Sequence, residues 1–456
     1  MKTSFAILCL AALSIGLIIR VQNLSSLHPF ELDERVWLLA GTSLIQKGIP
    51  ASWTIYWDKY KHIETTIYGG QNHVVVTPFL DHPPLFGIGM GAWAILTGNN
   101  TSKPLDWAIL RLPMIALAIG TIVFTWLLLN QLFNPALATL TLVAFSFFPA
   151  HIIASRFIVA ENIIAFLLVM CLWAFSIIDT ESRKKSHKTV FATAVIILAC
   201  GVAILFKLSA IVIPATIGSL ALLRKNLRLF ILVIVATVIS LLLLAGYGAY
   251  YDWNLFMDIL GRHAGRPQSF WYFWSIVTQL DLGYFPIRDP SIIVGFIGAF
   301  ILLADTKIPW EKRLYIFVPL LNFSLLFLFI APVESYGWYK YVLFPLLAIG
   351  LGYVFTELAR GKVIYYALIL PFIAIMLEQS QSLETHSQQK TLMLILYGIV
   401  FTTITIKHYV TWGGGILSVI FVTLIAFLFF LELTWVSALI SAHSSLFLSK
   451  GTTFNY

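Results

Sequence analysis

The amino-acid sequence predicts an all-α, polytopic membrane protein. Three observations carry that expectation. The mean hydropathy is +0.89 over the whole chain. Charged residues are 11% of it and hydrophobic residues 59%, against roughly 25% charged in an ordinary soluble domain. Apolar runs of spanning length, ~17–25 residues, recur from end to end, and a window reading finds about thirteen of them.

In chain order these runs cover 4–20, 112–131, 135–151, 161–178, 189–206, 208–223, 229–250, 290–304, 314–331, 341–357, 363–377, 391–406 and 414–432. The first follows Lys2 and resembles a signal peptide, but it runs into Arg20 with no small-x-small cleavage site, so a retained helix is expected. Short basic connectors set the orientation: Arg183-Lys184-Lys185, Arg224-Lys225 with Arg228, Lys307 to Arg313, and Arg360 with Lys362. All four face the cytoplasm if the N-terminus is inside and the C-terminus outside. Leu85 to Thr97 is too short to span and begins after His82-Pro83-Pro84, so it is expected to lie at the outer interface.

Two long outer loops result, 21–111 and 251–289, the first carrying juxtamembrane helices. The net charge of +8 is spread between spans and so reads as topology, with no nucleic-acid partner. Cys9, Cys171 and Cys200 all fall in apolar runs without metal-ligand spacing.

Carboxylates are costly in such a chain, which makes Asp33-Glu34, just past the first span, the most informative pair. They could cap the stretch from Arg35 to Gln46, or they could do chemistry. Glu161 opens the fourth run, with Arg156 and His151 close before it; it is either a helix-start charge neutralised by Arg156 or a catalytic group. Lys207 interrupts apolar sequence at a helix end, where it either snorkels or binds an anion. Arg262 and Arg266, four apart, could share a helix face and hold phosphate oxygens together. Lys340, beside Glu334 and Tyr336, could complete such a pocket. The aromatic run Phe270 to Trp274 reads first as an interfacial anchor.

The order of these features resembles a known family. An outer Asp33-Glu34, then Asp81-His82-Pro83-Pro84-Leu85, then Arg111-Leu112-Pro113 opening a span, is similar to the C-type integral-membrane glycosyltransferases. Ser155-Arg156-Phe157, Glu161-Asn162, Phe206-Lys207-Leu208 and Lys340-Tyr341 with Pro345 fit the same pattern. The nearest resemblance is to the protein O-mannosyltransferases and the lipid A aminoarabinose transferases, over residues 1–350; residues 351–456 add C-terminal spans and a short tail. The chain departs from the pattern at Glu161, where an Asp is usual.

The resemblance implies a GT-C fold and an inverting transfer of a sugar from a polyprenyl-phosphate donor. The acceptor would be a lipid, glycan or protein on the extracytoplasmic face of the cell membrane, with no nucleotide needed. Asp33 is then the leading base, with Glu34 next and Glu161 as a third catalytic candidate. Lys207, Arg262, Arg266, Lys340 and Arg156 are the candidate donor-phosphate ligands. In the aminoarabinose transferases an acid at Asp81 and a His from the second large loop look able to hold a divalent ion; here that His is His263, or else His82. A transporter or flippase of lipid-linked substrates is the competing reading. It would place ionisable groups at the bilayer midplane and show internal repeats, whereas these acids gather outside the spans. A non-catalytic family member is the third.

Overall fold

The computed structural model describes residues 2–25, 31–100, 102–181, 186–265, 280–281, 286–287, 289–327, 337–360, 362, 365 and 368. The three apolar runs expected beyond 362 therefore lie outside the described residues, as do Arg266, the Phe270 to Trp274 run, Glu334 and Tyr336.

Among the described residues the helices are α1 (Lys2–Val21), α2 (Glu31–Lys47), α3 (Pro84–Leu96), α4 (Trp107–Leu132), α5 (Pro135–Ser146) and α6 (Pro149–Ala154). They continue with α7 (Ala160–Thr180), α8 (His187–Phe206), α9 (Val212–Leu223), α10 (Leu227–Tyr251) and α11 (Trp253–Ala264). The last are α12 (Pro290–Ala304), α13 (Trp310–Phe327) and α14 (Phe344–Ala359). Among the described residues, five helices are long and apolar enough to cross a membrane: Trp107–Leu132, Ala160–Thr180, His187–Phe206, Leu227–Tyr251 and Trp338–Ala359. The chain is a mostly helical, multi-pass membrane protein.

Local chemistry explains the helix starts. Asp106, Asn134, Ser186, Asn226, Asp252 and Asp289 each accept a backbone N–H of the first turn with the side chain, which satisfies donors the helix cannot. Proline opens α3, α5, α6, α12 and α14, a position where its missing N–H costs nothing.

Packing centres on α7 and α14. Helix α7 lies against α4 and α8, and α14 against α5 and α12. With no hydrophobic drive between helices in lipid, close backbone approach does the holding. Thus Gly295 and Gly298 of α12 meet Gly350 of α14, and a methyl group at Gly350 would overlap the Gly295 carbonyl. By contrast α10 exposes Leu227, Ile231, Val235, Ile239 and Leu242, an apolar face suited to lipid.

The loop between α1 and α4 carries the expected juxtamembrane helices and a hairpin that was not expected. Helices α2 and α3 cross at Gly41, Gly87 and Gly91, and a side chain at Gly41 or Gly91 would strike the backbone of the other helix. Between them β1 (Ile63–Tyr68) pairs antiparallel with β2 (Gln71–Val76), Thr65 opposite Val74. Gly69 and Gly70 make the turn, both at positive φ, a conformation glycine adopts without strain. The alternation in 63–76 is real but short, and it sits in a loop whose surroundings read as helical.

At one end of the bundle Asp179 of α7 accepts from Arg224 and from the Tyr315 hydroxyl. There Gln131 also donates to Thr180 and Tyr353 to Asp305. That end gathers the basic connectors. Glu161 is eighteen residues away on the same helix, about 27 Å at 1.5 Å per residue, at the opposite end, where α2 and α3 lie.

Candidate active site

The first turns of α2 present Asp33, Glu34 and Arg35 in three directions. Glu34 is wholly buried. Its Oε1 accepts from Arg111 Nε at 2.9 Å and from the Ile158 amide at 3.0 Å, while its Oε2 accepts from Arg111 Nη2 at 2.5 Å. Arg111 also donates to the Leu24 carbonyl at 2.8 Å. A planar guanidinium suits this bidentate grip. On the other side Arg35 donates to His73 Nε2 at 3.0 Å and to the Tyr68 carbonyl at 3.2 Å, pinning the hairpin. The Trp107 ring lies against both guanidiniums, 5.5 Å from Arg35 and 5.2 Å from Arg111.

Asp33 is thus held from both sides and is itself half-buried. Being ringed by protein pushes its pKa up to about 6; Lys207 opposes the rise, and Glu34 and Glu161 add to it. Above that pH the carboxylate predominates, with more basicity than an ordinary Asp has.

Glu161, in the first turn of α7, pairs with Lys207, just past α8, at 2.5 Å. Arg156 is not its partner. That guanidinium donates instead to the carbonyls of Asn23 at 2.7 Å and Ile19 at 3.4 Å, steadying the connector that leads to Asp33. Burial first, and then Arg111, lower its pKa to about 9. The Lys207 ammonium lies 4.6 Å from the Tyr339 ring centre, a cation–π distance. Burial works against its charge, but Glu161, Tyr339 and Asp33 outweigh that and raise its pKa. Tyr341 sits within electrostatic reach of both Glu161 and Glu34.

A second cluster adjoins the first. Trp37, one turn beyond Asp33 on the same face of α2, stacks on His82 at 4.6 Å and 24°. His82 lies 6.2 Å, ring to ring, from His263 of α11, which packs edge-on to Tyr56 at 5.3 Å. Asp81 next to it accepts from the Thr54 hydroxyl and, at 2.5 Å, from the Tyr60 hydroxyl. His82 and His263 thus lie near each other, while Asp81 is engaged by two hydroxyls. Among the described residues, however, no group of three or more His, Cys, Asp or Glu is arranged to hold a metal ion. The Asp81 carboxylate has both oxygens engaged by hydroxyls.

Arg262 stands apart in an exposed ion pair with Asp58 at 2.8 Å, next to Lys59–Asp258 at 2.8 Å. Lys340 is buried in the turn Gly337–Leu343. Sequence reasoning missed Arg35, Trp37, Tyr339 and Tyr341 as parts of the site. Arg111 was visible as a motif residue, a lone cation at the start of an apolar run, but without its role.

The architecture places the chain in a class: it has the fold of the C-type integral-membrane glycosyltransferases. Among solved structures it is similar to the lipid A aminoarabinose transferase ArnT from Cupriavidus metallidurans. Against ArnT bound to undecaprenyl phosphate the TM-score is 0.63 at 16% identity, covering 98% of this chain and 78% of the other. Against apo ArnT it is 0.61 at 16% identity, covering 97% and 78%. At that identity the likeness is one of fold. No protein-family model matches the chain, and no curated protein matches it in sequence.

Proposed function

We propose that this chain is an inverting glycosyltransferase that moves a sugar from a polyprenyl-phosphate donor to a lipid, glycan or protein hydroxyl. The reaction would take place on the extracytoplasmic face of the cell membrane. One observation carries the reading: a half-buried Asp33 whose carboxyl pKa is pushed up to about 6, under the influence of the Lys207–Glu161 pair. It sits in a fold shared with a protein crystallised with undecaprenyl phosphate.

In this reading the acceptor oxygen attacks the anomeric carbon opposite the phosphate, and Asp33 takes its proton as the new C–O bond forms. The bond to the phosphate oxygen breaks and its electron pair leaves with the carrier phosphate, so the anomeric configuration inverts. The departing charge needs cations. The charge of Lys207 acts on Asp33, which makes it the first candidate; Arg262, Arg266, Lys340 and Arg156 are the others. Glu34 serves to hold Asp33, because both of its oxygens are already engaged. The gathering of basic connectors at the far end of the bundle supports an extracytoplasmic site.

The decisive variant is Asp33→Asn, which keeps size and polarity but removes the base. Transfer should fall by ~10²-fold or more while the protein stays folded, and cells relying on it should accumulate a polyprenyl-phosphate sugar. Full activity in a well-folded Asp33→Asn protein rejects the assignment. Sidedness is tested separately. A cysteine at Asn72, on the hairpin, should label in intact cells, and one at Ser186 only after the membrane is opened; the reverse pattern moves the site to the cytoplasm.

A further inference from the structure

Among the described residues, two buried polar atoms have no hydrogen-bond partner: Glu161 Oε2, on the carboxylate that holds Lys207, and the hydroxyl of Tyr341, which lies within electrostatic reach of Glu161. Both side chains are 1% exposed, so bulk water does not serve them, and each bears the full cost of desolvation. Neither can simply turn away. Glu161 is tethered through its other oxygen to Lys207, and the Tyr341 ring is stacked on Phe344 at 5.4 Å and 30°. A phenylalanine at 341 would fill the same space without that cost.

We infer that Glu161 Oε2 and the Tyr341 hydroxyl form a subsite for a hydroxyl or amino group of the transferred sugar. This rests on the glycosyltransferase reading above and goes further by naming what recognises the sugar. A carboxylate only accepts, so its free oxygen calls for an O–H or N–H. A phosphate is excluded at this spot, because Glu161, Glu34 and Asp33 crowd it with negative charge. The transferred sugar fits better than an acceptor sugar for a geometric reason. The same carboxylate that offers Oε2 holds, on Oε1, the ammonium of Lys207, a cation whose charge acts on Asp33. A group bound to Oε2 therefore lies next to the carrier phosphate.

A site built to hydrogen-bond a group rejects analogues that lack it, so the reach of the Glu161 side chain sets which sugar hydroxyl or amine is preferred.

The test uses the full chain in lipid nanodiscs and two kinds of probe. The first is undecaprenyl phosphate alone. The second is undecaprenyl phosphate bearing glucose, mannose, galactose or 4-amino-4-deoxyarabinose. The tightest sugar-bearing lipid defines the gain in affinity due to the sugar. Tyr341→Phe should cut that gain by roughly tenfold, leave the affinity for the bare lipid within about twofold, and leave the free protein as stable as before or more so. Glu161→Gln should cut the gain as well, and Glu161→Asp should change which sugar is preferred.

Three outcomes overturn the inference. The gain could be unchanged in both Tyr341→Phe and Glu161→Gln. Tyr341→Phe could destabilise the protein without touching the gain, which would mark an internal hydrogen bond. Or only the binding of free methyl glycosides of the same sugars could weaken, which would assign the subsite to the acceptor. A wild-type protein that fails to bind bare undecaprenyl phosphate is a different failure: it sinks the glycosyltransferase reading, and the subsite with it.

Discussion

Two buried carboxylates flank Asp33, and they are satisfied to different degrees. Glu34 receives two hydrogen bonds from Arg111 and one from the Ile158 amide, and Arg111 is itself only 1% exposed. Glu161 receives a single lysine, which is 11% exposed, and keeps one oxygen without a donor. The first arrangement is closed and can only hold geometry. The second is open on one side and can exchange its partner for a ligand. In a chain that spends so little charge, the saturated pair marks the frame and the unsaturated pair marks the place where binding happens.

Breaking the closed pair should have the largest effect. Glu34→Gln or Arg111→Met leaves a charge buried alone, a loss of about 3–5 kcal/mol, so unfolding in detergent should come markedly earlier and transfer should collapse with it. Glu161→Gln should cost clearly less stability, because Lys207 is long enough to turn its ammonium toward water. Equal destabilisation by the two Gln variants would erase the distinction between frame and site.

A finer test uses the pH dependence of transfer. Asp33 is raised to about 6, so it is protonated and inactive as a base below that pH, and the rate should climb as pH rises through it. Lys207 pulls this value down. Lys207→Met should therefore move the acid limb to higher pH. Glu161→Gln removes a nearby negative charge and releases Lys207, both of which lower the value, so the limb should move to lower pH. An acid limb unmoved by either change would detach Asp33 from the Lys207–Glu161 pair.

The smallest effect belongs to the exposed pair. Arg262→Gln should alter stability by no more than ~1 kcal/mol, as for surface ion pairs generally. If Arg262 also grips the donor phosphate, dependence on the lipid-linked donor should weaken by ~1.5–3 kcal/mol. Unchanged donor kinetics would leave Arg262 as the partner of Asp58 alone.

The spans of the described region were legible because a bilayer demands long, uninterrupted apolar runs, and α4, α7, α8 and α10 start and stop within a few residues of where hydropathy put them. The apolar stretch after His82-Pro83-Pro84 was legible as a helix of less than spanning length for the converse reason: it is too short. The hairpin at 63–76 was not, since a few alternating residues in a long loop carry little signal beside the helical periodicity around them. Within the site, the acids and bases were visible one by one because charge is rare in this chain. Which of them meet was not.

By itself, then, the sequence determined that the chain is helical, that it crosses a membrane repeatedly, and that its few carboxylates cluster where apolar runs end. Those properties follow from local composition and the cost of charge in lipid. Only the tertiary structure decided that Glu161 takes Lys207 and not Arg156, that Glu34 is closed by Arg111 from seventy-seven residues away, and that Tyr341 comes within electrostatic reach of Glu161. Pairing across such separations depends on how helices pack, through the small residues that let α2 meet α3 and α12 meet α14, and no local pattern encodes it.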